Sequence, residues 1–382
     1  MNPSPSNVPL VAIACGGTGG HLFPGLAVAR QLRQAGCDVA LLISPKEVDQ
    51  QAVKSVQGMT VHTLPAVGLQ NRNYVAFAGS FFKSFAAARQ AFRQRRPVAV
   101  LAMGGFTSAP PVLAAKFMGV KTFLHESNAI PGRANRLIAR FVQEAFLGFP
   151  EAAPRLNARN NSVTGTPVRA EFQVRPPADC RRALGLDPDL PTVLVVGGSQ
   201  GASGLNQLVL AALPALAARG WQWVHLTGAK DFDMVQAAYA RFGLRAVVRP
   251  FLAEMDLALG AATAAISRAG ASSLAEMAAL RLPTLLVPLP TAADNHQYFN
   301  ARLFVASGAA RWLDQRTGTP AEVATLLGSL MEDKAVRNEL RTALARWHAP
   351  QSAAEIAARI LRATAAPAAT PAAPAKPNIS TA

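Results

Sequence analysis

The stretch "VAIACGGTGGH" (11–21) decides the fold because it returns twice, as "VAVLAMGGFTSAP" (98–110) and "TVLVVGGSQGAS" (192–203). Each copy is an unbroken apolar run that ends in Gly-Gly and small polar residues. Apolar runs that do not alternate belong to strands covered on both faces, as in a parallel sheet. Helical patterns follow at 25–35, 111–118 and 205–218. Strand, glycine corner and helix make the βα unit of an open α/β sheet, whose ligands gather beyond the carboxyl ends of the strands. The first two copies share one half of the chain and the third opens another. Strands expected near 222–227, 245–249, 262–267 and 284–288, with helices at 231–241 and 272–280, complete a second doubly wound parallel sheet. The turn-rich "FPEAAPRLNARNNSVTGTPVRAEF" (149–172) reads as the joint between the two.

The bulk numbers agree with two domains. A chain of 382 residues, half of them apolar, exceeds one comfortable core. No run of 18 apolar residues occurs; the longest aliphatic segment, 208–218, is short and broken by Pro214. The first residues lack the pattern of a secretory signal, and Cys15, Cys37 and Cys180 share no ligand spacing, so a cytoplasmic, reducing compartment is expected. The net charge is +16, and residues 1–150 hold fifteen Lys and Arg against five Asp and Glu, a balance of +10. A basic front half can face nucleic acid, anionic lipid or a phosphorylated substrate. Finger spacings and RNP-type aromatic patterns are missing, so nucleic acid is not expected.

The glycine corners fail the familiar phosphate tests. A dinucleotide fingerprint on Gly17 and Gly19 would need glycine where Leu22 stands, and no Gly-Lys-Ser/Thr tripeptide occurs. Bare amides at a helix start still favour anionic oxygen. His21 closes the first corner, either as a polar cap or as a base whose ordinary pKa, about 6.5, suits proton removal. In "FLHESNAIPGRANR" (123–136), His125, Glu126 and Asn128 are turn polar groups or line the same cleft edge. No His-Glu-x-x-His spacing occurs, and neither a metal nor a cofactor is expected. Ser273 and Glu276 satisfy a Ser-x-x-Glu capping box, although an acid there can also accept hydrogen bonds from a ribose diol. "DNHQ" (294–297) suits sugar hydroxyls, and the two features together describe a nucleotide-sugar pocket. Phe77, Phe81 and Phe85 recur at helical spacing among Lys83, Arg89, Arg93, Arg95 and Arg96, as a core stripe or as a patch for anionic lipid.

In these motifs the chain resembles, over roughly residues 9–362, the bacterial UDP-N-acetylglucosamine:lipid-linked muramyl-pentapeptide N-acetylglucosaminyltransferases. The carrying pieces are "GGTGGHLFPGLAVA", "AMGGFTSAP", "HESN", "GTPVR", "VLVVGGSQGAS", "SRAGASSLAEMAAL" and "DNHQYFNA", in the family order. Phe106 and Ser127 depart from side chains common in that family. The resemblance implies a GT-B architecture: an acceptor domain at 1–168, a donor domain at 169–346 and a helix at 347–362 packing back on the first domain; the Ala/Pro composition of 363–382, which can bury no core, reads as a disordered tail. It implies an inverting transfer of N-acetylglucosamine from UDP to the muramyl 4-hydroxyl in peptidoglycan synthesis; His21 is expected either to remove the hydroxyl proton or to contact the acceptor's phosphates, and no metal is expected. Another GT-B enzyme, such as a diacylglycerol glucosyltransferase, is the alternative.

By motif, the family's donor contacts fall on Ser199 at the diphosphate, Leu252 at uracil and Ala271, Ser272, Ser273, Leu274, Ala275 and Glu276 around the nucleotide. Gln297 falls on the amino sugar, with Arg169 reaching in from the joint. Thr18, Gly19, Gly20 and Asn128 face the transferred sugar and the acceptor. The implied setting is the cytoplasmic face of the inner membrane, peripherally bound to anionic lipid, with cell-wall synthesis proteins as further partners.

Overall fold

The computed structural model describes residues 8–54, 57–66, 74–198 and 201–365. The tail expected to be disordered falls almost wholly outside them. The first sheet contains β1 (Leu10–Ala14), β2 (Asp38–Ile43), β3 (Thr60–Thr63), β4 (Ala99–Ala102), β5 (Lys121–Glu126), β6 (Glu144–Leu147) and β7 (Asn161–Val163). Its helices are α1 (Gly19–Gln34), α2 (Glu47–Val53), α3 (Tyr74–Gln94), α4 (Ala109–Phe117) and α5 (Arg133–Ile138). After the joint come α6 (Pro177–Ala183) and a second sheet of β8 (Thr192–Val196), β9 (Gln222–Leu226), β10 (Ala246–Arg249), β11 (Ala264–Ser267), β12 (Thr284–Leu286) and β13 (Arg311–Trp312). Between and after these strands lie α7 (Ser203–Leu216), α8 (Phe232–Arg241), α9 (Met255–Ala261), α10 (Ala271–Leu280) and α11 (His296–Ala306). The chain then forms α12 (Pro320–Glu332), α13 (Lys334–Ala345) and α14 (Ser352–Thr364).

Both sheets are parallel throughout, in the orders β3-β2-β1-β4-β5-β6-β7 and β10-β9-β8-β11-β12-β13. Each order reverses once, between β1 and β4 in the first sheet and between β8 and β11 in the second. The three diglycine corners follow β1, β4 and β8, so they stand beside the two crevices that a reversal opens. The unbroken apolar runs are also explained. Val11 and Ile13 face one helical layer while Leu10, Ala12 and Ala14 face the other, and Val193 and Val195 oppose Leu194 and Val196 in the same way.

The carboxyl ends of the two sheets face each other. A shared core binds the domains behind them: Phe149 of the first packs with Leu274 and Phe304 of the second and against Trp347, whose ring stacks on Phe304 at 4.5 Å. The chain then returns to the first domain. On α14, Ile356 and Ile360 are buried against Val11 and Ile13, and Arg359 donates to Glu144 at 2.9 Å. Replacing Ile356 or Ile360 by Ala leaves a hole in this layer and is expected to cost about 2–5 kcal/mol, read from denaturant midpoints.

Candidate functional site

Between the facing sheet ends lies a cleft of about 1790 Å³ with walls from both domains. The first wall is the "GGTGGH" corner. A Cβ on Gly16 would fall on the backbone of Ile43 and Ser44, so only glycine lets β1 turn this close to β2. Buried Asp49 fastens the turn: its Oδ2 accepts from the Gly17 amide at 2.6 Å and from Ser44 Oγ at 2.5 Å. Lys46 Nζ donates to the Gly17 carbonyl at 2.9 Å. One amide of the corner is therefore already taken by a carboxylate. The first-turn amides of α1, which begins at Gly19 with Thr18 as N-cap, are the ones that face the cleft.

The helical pattern placed α1 at 25–35; it starts six residues earlier, and that shift has a consequence. Pro24 lies inside the first turns and has no N–H, so the Gly20 carbonyl lacks its helical donor. Ser272 of the second domain supplies it, its Oγ donating to Gly20 O at 2.8 Å.

His21 lines the cleft with its ring lying along the backbone of Gly104 and Gly105. Nδ1 is enclosed without a hydrogen-bond partner. Burial drives its pKa down to about 4, outweighing the upward pull of Met103 and Asp49, so the imidazole is neutral at physiological pH. Glu126 forms part of the floor. Its Oε1 accepts from the Asn128 amide at 2.8 Å and its Oε2 from Gly132 N at 2.9 Å and Asn135 Nδ2 at 2.7 Å. Asn128 stands at the cleft edge, its Oδ1 accepting from Asn300 of the second domain at 3.0 Å. His125 does not share that edge: it is buried behind it, held by Gly165 O at 3.0 Å and Ser127 Oγ at 3.2 Å.

The second domain supplies the opposite wall. Arg169 lies between the rings of Phe23 and Phe172, 4.3 and 4.8 Å from their centroids, and reaches Glu276 at 4.0 Å. Burial raises the Glu276 carboxyl to about 7 against the downward pull of Arg169. The capping-box reading fails. Gly270 is the N-cap of α10 and no side chain caps it, so Glu276 sits two turns in, with its carboxyl on the cleft. Ala271, Ser272 and Ser273 line the same wall, and Leu252 lies near the head of α9. Leu274 instead turns into the interdomain core, and Ala275 is off the wall, because successive helical positions point 100° apart. Gln297 commits its Oε1 to Ala269 N and Leu289 N, at 3.3 and 3.0 Å, leaving its Nε2 for the cleft. Ser199 lies outside the described residues; Gly197, Gly198 and Gly201 beside it line the cleft.

Arg268, which the sequence reading passed over, is buried at the end of β11 on the same wall. It donates to the Val287 and Pro288 carbonyls at 2.9 and 3.2 Å and to Gln315 at 2.6 Å, while Nε has no partner. Burial lowers it to about 10, so it remains a cation, and no carboxylate pairs with it among the described residues. Its signal was "SRAG", a fourth strand-to-helix corner with a single glycine. Two Asp-x-Asp tripeptides are busy elsewhere: Asp231 accepts from Asn206 at 2.8 Å, and Asp187 from Asp189 N at 3.0 Å. Among the described residues no three His, Cys, Asp or Glu side chains gather as a metal ion would require.

The Phe stripe resolves against the simple patch. Phe77 and Phe81 border the cleft and Phe85 packs on the core. The exposed apolar groups are Val75 and Phe82 on another face of α3, and Phe117 of α4, which meets Phe85 edge-on. Exposed Lys83, Arg89 and Lys116 lie on the same two helices, and no described helix is long and apolar enough to cross a membrane.

Residues 11–147 match the glycosyltransferase family 28 N-terminal domain and residues 192–360 the family 28 C-terminal domain. A curated relative from Anaeromyxobacter sp. (strain Fw109-5) is 36% identical, covering 90% of this chain and 91% of its own. One from Prochlorococcus marinus (strain MIT 9303) is 41% identical over 85% of this chain and 88% of its own. Both are named UDP-N-acetylglucosamine–N-acetylmuramyl-(pentapeptide) pyrophosphoryl-undecaprenol N-acetylglucosamine transferase. Among solved structures, Acinetobacter baumannii MurG superposes with a TM-score of 0.71 at 29% identity, covering 93% of this chain and 99% of that one. Phytolacca americana UGT2, at 16% identity and a TM-score of 0.66, shares the fold. With both halves matched and relatives aligned over most of their length, the chain belongs to glycosyltransferase family 28 and, within it, to the MurG N-acetylglucosaminyltransferases.

Proposed function

We infer that this enzyme moves N-acetylglucosamine from UDP-N-acetylglucosamine to the 4-hydroxyl of a muramyl-pentapeptide carried on undecaprenyl pyrophosphate, a step of peptidoglycan synthesis. The observation that carries the reading is the single cleft into which both domains turn their strand-to-helix corners, a neutral imidazole on one wall and Arg169, Glu276 and Gln297 on the other. A hydroxyl oxygen on the first side attacks the anomeric carbon as that carbon's bond to the β-phosphate oxygen breaks. The hydroxyl proton passes to His21 Nε2, the pair from the broken bond leaves with UDP, and the configuration inverts. The low basicity of the buried ring delays proton transfer until bond formation has made the hydroxyl acidic. Charge growing on the diphosphate meets the start of α7 and the positive charge of buried Arg268 at the end of β11. Glu276 faces the ribose and Gln297 Nε2 the sugar. Transfer of labelled sugar onto a muramyl-pentapeptide lipid, and not onto diacylglycerol, separates this reading from its rival.

Exposed Val75, Phe82 and Phe117, with Lys83, Arg89 and Lys116 beside them, form the surface that would rest on anionic lipid at the cytoplasmic face of the inner membrane.

Three outcomes test these roles. His21→Ala should lower kcat by about 10²–10⁴-fold with the UDP Kd held within about twofold; near-normal turnover at saturating substrates removes the base. Below about pH 7 Glu276 takes up a proton and loses its charge and the stronger, charge-assisted acceptance of a diol's hydrogen bonds, so donor affinity, measured by calorimetry, should weaken from pH 8 to pH 6. In Glu276→Gln that slope should vanish. Vesicles containing anionic phospholipid should bind the protein less well in high salt and after joint Phe82→Ser and Phe117→Ser replacement, as sedimentation would show.

A further inference from the structure

The second diglycine corner has no ligand assigned to it, although the chain spends two adjacent glycines there. Both residues have positive φ, 107° at Gly104 and 78° at Gly105. The space that their missing side chains leave is filled by protein. A Cβ on Gly104 would lie 2.9 Å from His21 Cε1 and 3.0 Å from Nδ1; one on Gly105 would lie 3.0 Å from Cδ2 and 3.2 Å from Nε2. All four of the ring's atoms beyond Cγ therefore rest on these two residues. Asn135 reaches the same spot, its Nδ2 standing 3.1 Å from the Gly104 Cβ position, and is itself held by Glu126. Where an anion would approach a bare corner, an imidazole already sits.

The corner is also held still. Ser108 Oγ accepts from Gly104 N at 3.1 Å and lies 2.7 Å from Gly104 O, and Thr107 Oγ1 donates to the Gly16 carbonyl at 2.5 Å. The Thr107 bond ties the corner after β4 to the corner after β1, from which His21 departs. We propose that Gly104 and Gly105 are positioning residues for glycosyl transfer: their bare backbone is the seat that fixes the His21 ring at the mouth of the cleft.

This proposal rests on His21 being the base and is separable from it. A methyl group at either glycine meets ring atoms closer than van der Waals contact, and the ring yields toward the cleft. A displacement near 1 Å from a reacting geometry can cost about 10²-fold in rate. A double-mutant cycle makes the decision. Gly105→Ala should lower kcat by at least about tenfold in the parent enzyme and by less than about twofold in the His21→Ala background, because the added methyl group then meets empty space. Equal losses in both backgrounds, or no loss in the parent, would overturn the seat. Near-normal turnover of His21→Ala alone would overturn the base reading instead.

UDP affinity and melting temperature report whether each variant is folded. Should positive φ prevent Gly105→Ala from folding, Ser108→Ala completes the same cycle. It frees the Gly104 peptide without adding a Cβ, and its loss of kcat should likewise shrink to less than about twofold when His21 is absent. A loss that persists undiminished would count against the proposal as squarely as it would for Gly105.

Discussion

The structure depends on how closely bare backbone can be brought to other groups at the carboxyl ends of buried parallel strands. β1 turns against the end of β2 where Gly16 leaves no room for a side chain, and the turn after β4 comes so near His21 that the ring lies on peptide groups. With all neighbouring strands parallel, these ends collect on one edge, and the reversal of strand order opens a gap there. Two such edges facing one another make the cleft. Everything chemical in the molecule is hung on that edge.

The cleft is electrically unusual because its polar groups are withdrawn from water. Burial keeps His21 and His125 neutral and raises the Glu276 carboxyl to about 7, whereas Arg268, though lowered, stays a cation. The wall that carries Arg169 and Arg268 also holds Glu171, whose carboxylate lies 3.5 Å from Arg169 and 2.7 Å from Arg30 and answers part of their charge. The wall from the first domain holds Asp49 beneath its first loop and Glu126 in its floor, each tied to backbone amides. Those acids shape the loops.

Much of this was legible in the chain because strand burial is a local signal. The unbroken apolar runs marked β1, β4 and β8 and placed the glycine corners correctly. Boundaries and faces were harder. Gly19 and Gly20 look like loop residues, so α1 appeared to begin too late, and Ser273 with Glu276 imitates a cap although the true N-cap is Gly270. Leu274 and Ala275 were swept in with their neighbours because a contiguous motif says nothing about which side of a helix meets the ligand. The stripe of Phe77, Phe81 and Phe85 was real, but two of its rings border the cleft and the third packs on the core. Asp49 and Asn300 carried no local signature, since their partners lie in other elements or across the domain boundary.

Pro24 joins these scales. An imino acid in the first turns of α1 strips one carbonyl of its helical partner, and that oxygen becomes a mooring for a hydroxyl from the opposite lobe. Ser272 stands at the head of α10, four residues before Glu276, so the mooring lies next to the nucleotide wall. Were the lobes to part, water could satisfy the freed carbonyl, so this bond by itself adds little to the hold of the Phe149–Trp347 core between them. A transferase that must release spent nucleotide on every cycle is served by a fastening of that strength, written into the backbone by a single missing hydrogen.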